Sequence, residues 1–323
     1  MNALLSLVGG LAILTTAASA QTNLAVATPY QDSLFHTQNI AQFAEEVEAT
    51  TDGDVTFTLH TNASLLKMPE IMRGVQTGQV QIGEILLSAY GQESPFFEVD
   101  GIPFLSRDPA TAWKVYELSL PHIKKRLEEK GLIALFSVPW PGQGLYAQRA
   151  LTQVSDLEGV KFRAYNAVTA RFAEKMGAIP TTVQSAEVAQ AFATGVVSAM
   201  ITSAATGNDT KAWDFTTHYY DVNAMSNKNM VFMNRDAFEA LSDENQAALL
   251  AAAAKAETRG WIMSNALQSE LTASLAANGL IVDDVSPEFL AELVTIGDEL
   301  VTEWLDKAGE DGAAFFEAYK AAQ

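Results

Sequence analysis

The spacing of hydrophobic residues switches between two periods along the chain, and the switches mark out the elements. Residues 160–165 alternate, with Val160, Phe162 and Ala164 on one face and Lys161, Arg163 and Tyr165 on the other. A period of two in a β-favouring run predicts a strand. Residues 166–176 then take helical spacing, with Asn166 as a candidate N-cap and Gly177 as the stop. Residues 179–183 read as extended. Ser185 is placed to cap a second helix ending near Thr194-Gly195, and Val196 and Val197 open the next strand. The stretch 156–200 is therefore strand, helix, strand, helix, strand.

The same grammar runs through the rest. Residues 24–27 form a short strand leading to Thr28-Pro29-Tyr30. Residues 35–50 place Ile40, Phe43, Ala44 and Val47 on one helical face. Asp52-Gly53 turns the chain into a strand at 55–59, followed by a helix at 68–76 and a strand at 80–85. A faint repeat links two of these units: Glu70 precedes Gly78 by the interval that separates Glu187 from Gly195, and each glycine follows a threonine. The glycines read as helix C-caps needing positive φ, and the repeat as one αβ unit used twice. Asp108 or Pro109 starts a helix, and Pro121 is expected to begin another. Residues 132–138 look like a buried strand. Two prolines and two glycines in 139–146 then make a rigid non-helical crossover.

Further on, Asn208 or Asp209 is expected to cap a helix containing Trp213, and residues 229–234 read as a strand. Ser242 begins the longest helix, running to 277, with Gly260 as a candidate bend. At ~1.5 Å per residue it would extend on the order of 50 Å. Ser286-Pro287-Glu288 starts a helix over 290–308, and a last one ends near Tyr319.

Composition narrows the function classes. A chain of 323 residues with 48% hydrophobic and 18% charged residues has material for two cored domains. Its net charge of −19 disfavours a phosphate-tracking surface or attachment to anionic membranes. An anionic small ligand stays open, because one arginine in a low-dielectric cleft outweighs a screened global charge. The absence of cysteine removes disulfides, thiolate nucleophiles and thiolate-held zinc together. Residues 1–20 read as a signal peptide: 4–16 is mostly apolar, and Ala18-Ser19-Ala20 is a small-x-small cleavage pattern. No Lys or Arg precedes that run, so its positive charge comes from the amino terminus or from residues upstream of this start.

Catalytic chemistry finds little support. His36, His60, His122 and His218 are scattered, without metal-ligand spacing, and there is no nucleophile elbow, P-loop or dinucleotide fingerprint. No cofactor is expected, and a bound cation is left open. Arg163 stands out instead, near the C-terminal end of its strand, where open α/β sheets bind ligands. Its planar fork of donors matches a carboxylate. By pattern alone, a lone strand arginine is more often a surface or salt-bridge residue.

The central stretch resembles the solute-binding proteins of tripartite ATP-independent periplasmic (TRAP) transporters. The resemblance rests on Asp156-Leu157, Gly159, Lys161, Arg163, Gly177-Ala178, Pro180, Glu187-Val188 and Thr194-Gly195-Val197, in order and in register. It extends over the mature chain, more weakly after about residue 240. It implies an α/β, two-lobed periplasmic-binding-protein fold, each lobe a mixed β-sheet flanked by helices, with a long helix spanning both. The expected partition is 21–140 plus 229–260 for lobe one and 141–228 plus 261–323 for lobe two. The implied function is capture of an organic acid through Arg163 and delivery to a membrane permease by a receptor expected to be monomeric.

Gln143, Asn166, Thr202 and Asn229 are candidates for the polar shell, and Trp140, Tyr146 and Trp213 for apolar walls. Tyr30, Gln31 and Ser203 are further contact candidates; Trp140 reads equally as interlobe core. Many relatives carry a second arginine where this chain has Gln143, which points here to a smaller or less polar monocarboxylate: a 2-oxo, 2-hydroxy or aromatic acid. Ser198-Ala199 and Met225 also replace residues frequent in relatives. A secreted α/β hydrolase and a ligand-sensing subunit for a membrane sensor are the alternatives. The first requires turnover and a nucleophile–base pair.

Overall fold

The computed structural model describes residues 21–322; the predicted signal peptide, 1–20, lies outside them. Two sheets organise the chain. The first takes strands β1 (Thr22–Ala27), β2 (Val55–His60), β3 (Ile82–Leu86), β4 (Leu132–Pro139) and β10 (Lys228–Asn234) in the order β2-β1-β3-β10-β4. The second takes β5 (Gln143–Ala147), β6 (Lys161–Ala164), β7 (Ile179–Thr182), β8 (Ala199–Ser203), β9 (His218–Tyr220) and β11 (Ile281–Asp283) in the order β11-β9-β5-β8-β6-β7. In both sheets two parallel pairings adjoin two antiparallel ones: β2-β1-β3 then β10-β4, and β7-β6-β8 then β5-β9. The fold is thus duplicated, with β11 as an addition.

The short repeat read in the sequence sits at the matching place in each copy. Helix α2 (Met68–Gln76) leads to β3 and helix α5 (Val188–Ala193) to β8. Gly78 has φ +72° and Gly195 φ +69°. Thr77 Oγ1 donates to Arg73 O and Thr194 Oγ1 to Gln190 O, at 3.0 and 2.8 Å. Positive φ after the last helical residue is the reason for glycine there. The strands begin a little later than expected, at Ile82 and Ala199, because residues after each glycine first close the helix end: the amides of Val80 and Val197 bond back to Gly74 O and Ala191 O.

The remaining helices are α1 (Phe35–Thr50), α3 (Pro109–Glu129), α4 (Ala167–Lys175), α6 (Ala204–Asp209), α7 (Arg235–Glu239), α8 (Asp243–Ala277) and α9 (Pro287–Ala321). Local capping chemistry sets their starts. Asp108, Asn166, Ser203, Ser242 and Ser286 each accept a backbone N–H in the first turn. Three expectations need correction. Pro121 does not begin a helix but lies inside α3. Residues Ala112, Val115, Tyr116, Ser119, Ile123 and Leu127 keep one buried stripe running past it. Pro121 and Glu117 are both exposed, so the carbonyl deprived of its amide is left to water. Asn208 and Asp209 end α6 rather than cap a helix, and Trp213 sits in a following 3₁₀ turn, Ala212–Asp214. Gly260 interrupts nothing in α8: a Cβ there would meet the two Val138 methyls at 2.4 and 2.8 Å. The glycine permits close approach of α8 to β4.

Three connections join the sheets. Strand β4 passes to β5 through residues 140–142, and β9 passes to β10 through 221–227. These crossings run side by side, tied by Trp140 N to Asn227 O, Gln143 N to Met225 O and Ala224 N to Gln143 O at 2.7, 3.0 and 2.9 Å. The third is α8, which packs on α1 and β4 at one end and on α6 and β11 at the other. Helix α9 also touches both sides. It packs on α4 and on α3, breaks at Gly309 (φ 61°, ψ −141°), and anchors Trp304 Nε1 to Pro95 O at 2.8 Å and Tyr319 Oη to Leu105 O at 2.5 Å. Among the described residues no helix is long and apolar enough to cross a membrane.

Gly260→Val should lower stability by about 2 kcal/mol in urea unfolding, since overpacking against the buried Val138 outweighs any gain in backbone stiffness. Unchanged stability would show that α8 and β4 do not need that contact.

Candidate functional site

The C-terminal ends of the parallel strands converge on a cavity of about 200 Å³ between the two sheets. Each contributes through its last residues or the segment that follows: β1 through Pro29 and Tyr30, β3 through Leu86, β6 through Arg163 and Tyr165, β7 through Gln184 to Glu187, and β8 through Thr202 and, in α6, Thr206. Trp140, Gln143 and Asn227 come from the crossings, and Lys67, Met68 and Pro69 from the start of α2. Lys67 and Glu187 are exposed and sit at the rim.

Arg163 is 3% exposed. Its Nε donates to Val183 O at 2.9 Å, and its guanidinium lies over the Tyr165 ring at 5.0 Å. Nη1 has no partner, and among the described residues no carboxylate comes within ion-pair range of this side chain. Burial lowers its pKa to about 10, partly opposed by Tyr165 and Tyr30. The group therefore remains a cation at neutral pH. Elsewhere in the core, the buried cation Lys228 is matched by Asp100 at 3.2 Å.

Two hydrogen-bond chains form the walls. In one, Gln143 Nε2 donates to Pro141 O at 2.9 Å, Tyr165 Oη to Gln143 Oε1 at 3.4 Å, and Asn227 Nδ2 to Tyr165 Oη at 2.6 Å. In the other, Trp140 Nε1 and Tyr30 Oη donate to Asn229 Oδ1 at 2.8 and 3.3 Å. Asn229 Nδ2 donates to Glu84 Oε1 at 2.8 Å, and Thr28 Oγ1 to Glu84 Oε2 at 2.5 Å. Burial pushes Glu84 up to about 7, against those two hydrogen bonds. His36 packs behind Trp140, tilted at 39° with centroids 4.3 Å apart, and burial lowers its pKa to about 3.

Of the residues singled out from the sequence, Arg163, Gln143, Thr202, Trp140 and Tyr30 line the cavity together. Asn166 does not: its side chain caps α4 through Thr169 N and reaches Ser88 Oγ at 2.8 Å, tying the two sides together. Asn229 stands behind Tyr30 and Trp140 and orients them. Tyr146 is directed into a separate apolar cluster with Trp213 at its edge, and Tyr146 Oη bonds Ser203 O at 3.2 Å. Gln31 and Ser33 reach Asp209 at 3.0 and 3.3 Å, a second bridge across the cleft. Tyr165, Asn227, Leu86, Lys67, Met68, Thr206 and the 184–187 loop were not singled out. Tyr165 was within reach, since it shares the strand face of Arg163.

A family model described as bacterial extracellular solute-binding protein, family 7, matches residues 27–307. The chain belongs to that family. A crystal structure of DctP7, a Bordetella pertussis extracytoplasmic solute receptor binding pyroglutamic acid, superposes with a TM-score of 0.91 at 44% identity, covering 93% of this chain and 99% of that one. A marine metagenome TRAP solute-binding protein specific for pyroglutamate gives a TM-score of 0.91 at 39% identity, over 93% and 99%. The 2,3-diketo-L-gulonate-binding periplasmic protein of Escherichia coli is 28% identical over 77% of each chain. The curated relatives are spanned over from about half to nearly all of their length. The family supports the receptor class read from the sequence.

The raised pKa of Glu84 makes a signed prediction. A carboxyl whose folded pKa lies above its unfolded value stabilises the fold fully below about pH 4.5, and that contribution is lost as pH rises through about 7. Glu84→Gln removes this titration. Its stability relative to wild type should climb between those pH values by an amount on the order of 3 kcal/mol, read from denaturant unfolding across the range. A flat difference would place Glu84 at an ordinary pKa.

Proposed function

We propose that this protein is an extracytoplasmic TRAP receptor that captures a small cyclic monocarboxylate of the pyroglutamate type and delivers it to a membrane permease. The observation that carries the reading is the buried Arg163, a permanent cation lining the cavity between the sheets with an unpartnered Nη1. Burying such a charge costs several kcal/mol unless an anion completes it. A ligand carboxylate supplies the missing charge through a bidentate bond, strengthened by exclusion of water. The cavity is smaller than the roughly 300–1,000 Å³ of pockets for drug-sized ligands, which suits a single small ring. Pro29, Met68, Leu86 and Trp140 supply apolar wall. The pyroglutamate ligands of the similar receptors combine these properties: one carboxylate on a small, weakly polar ring.

Capture rather than turnover is the reading that the receptor family supports. None of the four histidines lines the cavity. His36 is buried beside Phe35 and Trp140, and His122 stacks on Phe96 at 3.8 Å. No imidazole base is thus presented to a bound acid. The working cycle is hinge closure. The crossings 140–142 and 221–227 bend, while the Ser88–Asn166 and Gln31–Asp209 contacts form as the sheets approach. The lobe boundaries follow the crossings, with α8 and α9 shared between the two halves.

Isothermal titration of pyroglutamate into wild type should show saturable binding, with a matching rise in melting temperature. Arg163→Ala should weaken it by at least about a hundredfold, the scale expected for losing a buried charge pair. Retained affinity in the variant would remove Arg163 as the anchor.

A further inference from the structure

We propose that Tyr30 sets ligand specificity by presenting a hydrogen-bond acceptor to the cavity, so that the receptor selects carboxylates bearing an N–H or O–H donor, with the lactam N–H as the best match. The inference rests on Arg163 as the carboxylate anchor and adds what the opposite wall requires.

The polarity of that wall follows from one group that has no choice. An indole N–H can only donate. Trp140 Nε1 lies 2.8 Å from Asn229, so the amide atom facing it is Oδ1. The other atom, Nδ2, then faces Glu84 Oε1 at 2.8 Å, which accepts. Thr28 Oγ1 holds the second carboxyl oxygen and fixes Glu84 in place. Tyr30 Oη lies 3.3 Å from the same Asn229 Oδ1. Two oxygens make a hydrogen bond only if one brings a proton, and the amide oxygen has none. The phenolic proton is therefore directed at the amide, and lone pairs are left to meet a ligand. Tyr30 lines the cavity, and its hydroxyl feels the charge of Arg163.

Tyr165 shows the same polarity on the other side. Gln143 Nε2 is committed to Pro141 O, a pure acceptor, so Gln143 Oε1 faces Tyr165 as an acceptor for its proton. Asn227 Nδ2 donates to Tyr165 Oη as well. The cavity thus sets a donor-only guanidinium beside two phenols whose protons are directed at groups of the wall, Asn229 for Tyr30 and Gln143 or Met225 for Tyr165. A carboxylate with an adjacent N–H satisfies both. An acid with a ring oxygen at that place turns lone pair against lone pair.

The test uses pyroglutamate and the γ-lactone acid of the same ring size, in which oxygen replaces N–H. Affinities are measured by titration calorimetry at neutral pH. Wild type should prefer the lactam by roughly tenfold or more, the scale of one buried hydrogen bond with its desolvated partner. Tyr30→Phe should weaken the lactam alone and bring the two acids to within about threefold. Equal affinities in wild type, or equal losses of both acids in Tyr30→Phe, would overturn the assignment. Binding of neither acid would remove the lactam class and this inference with it. Arg163→Ala measured in parallel separates the two claims. Loss of both acids there with no lactam preference in wild type retains the anchor and rejects the acceptor role. Retention of both acids rejects the anchor itself.

Discussion

A buried guanidinium without a counter-ion is the constraint around which this structure is arranged. Arg163 keeps its charge at neutral pH despite full burial, and among the described residues it meets one carbonyl and one aromatic face. A fold tolerates such a deficit when something outside the chain can repair it. The contrast with Lys228 makes the point, because that equally buried cation has Asp100 beside it and borders no ligand cavity. Burial raises Asp100 and lowers Lys228, each partly offset by the other's charge. One pair is closed within the protein; the other is left half made.

The unmet charge sits where the chain can respond to it. Lys228 starts β10 directly after the second crossing, and Asn227, its neighbour, bonds the Tyr165 that lies under Arg163. The second crossing and the cavity wall are therefore one continuous hydrogen-bonded unit. Rotation at 221–227 cannot leave Tyr165 undisturbed, nor Gln143, whose backbone pairs with Met225 and Ala224 across the crossings. On the proposed reading, ligand charge and hinge angle are coupled through these few residues, while α8 limits the motion by packing against both sides.

Legibility from sequence followed the range of the deciding interaction. Caps and stops are local, and Ser242, Ser286, Asn166 and the Thr-Gly pairs were readable as such. Period-two alternation put Arg163 and Tyr165 on one face, and both reach the cavity; Lys161 shares that parity but lies at the exposed start of β6. Parity also explains a miss. Gln143 lines the cavity, and Tyr146, an odd number of residues further along β5, is directed to the opposite side. Pro121 was misread because its own propensity counted for more than the buried stripe that continues past it. Asn229 was the harder case, since its value lies in Trp140, Tyr30 and Glu84, which come from three other segments of the chain.

That four-residue junction shows why a pocket's lining is an incomplete statement of its chemistry. Asn229 and Glu84 do not line the cavity, yet with Trp140 they fix which atom of Asn229 faces Tyr30. Polarity travels along such a chain because the Trp140 indole N–H can only donate and so fixes the orientation of the Asn229 amide. A relative could keep Tyr30 and Trp140 and still reverse the requirement placed on its ligand by changing a residue behind them. Contacts with the ligand alone would not account for specificity in this cleft; the buried carboxyl behind its aromatic wall belongs to the same determinant.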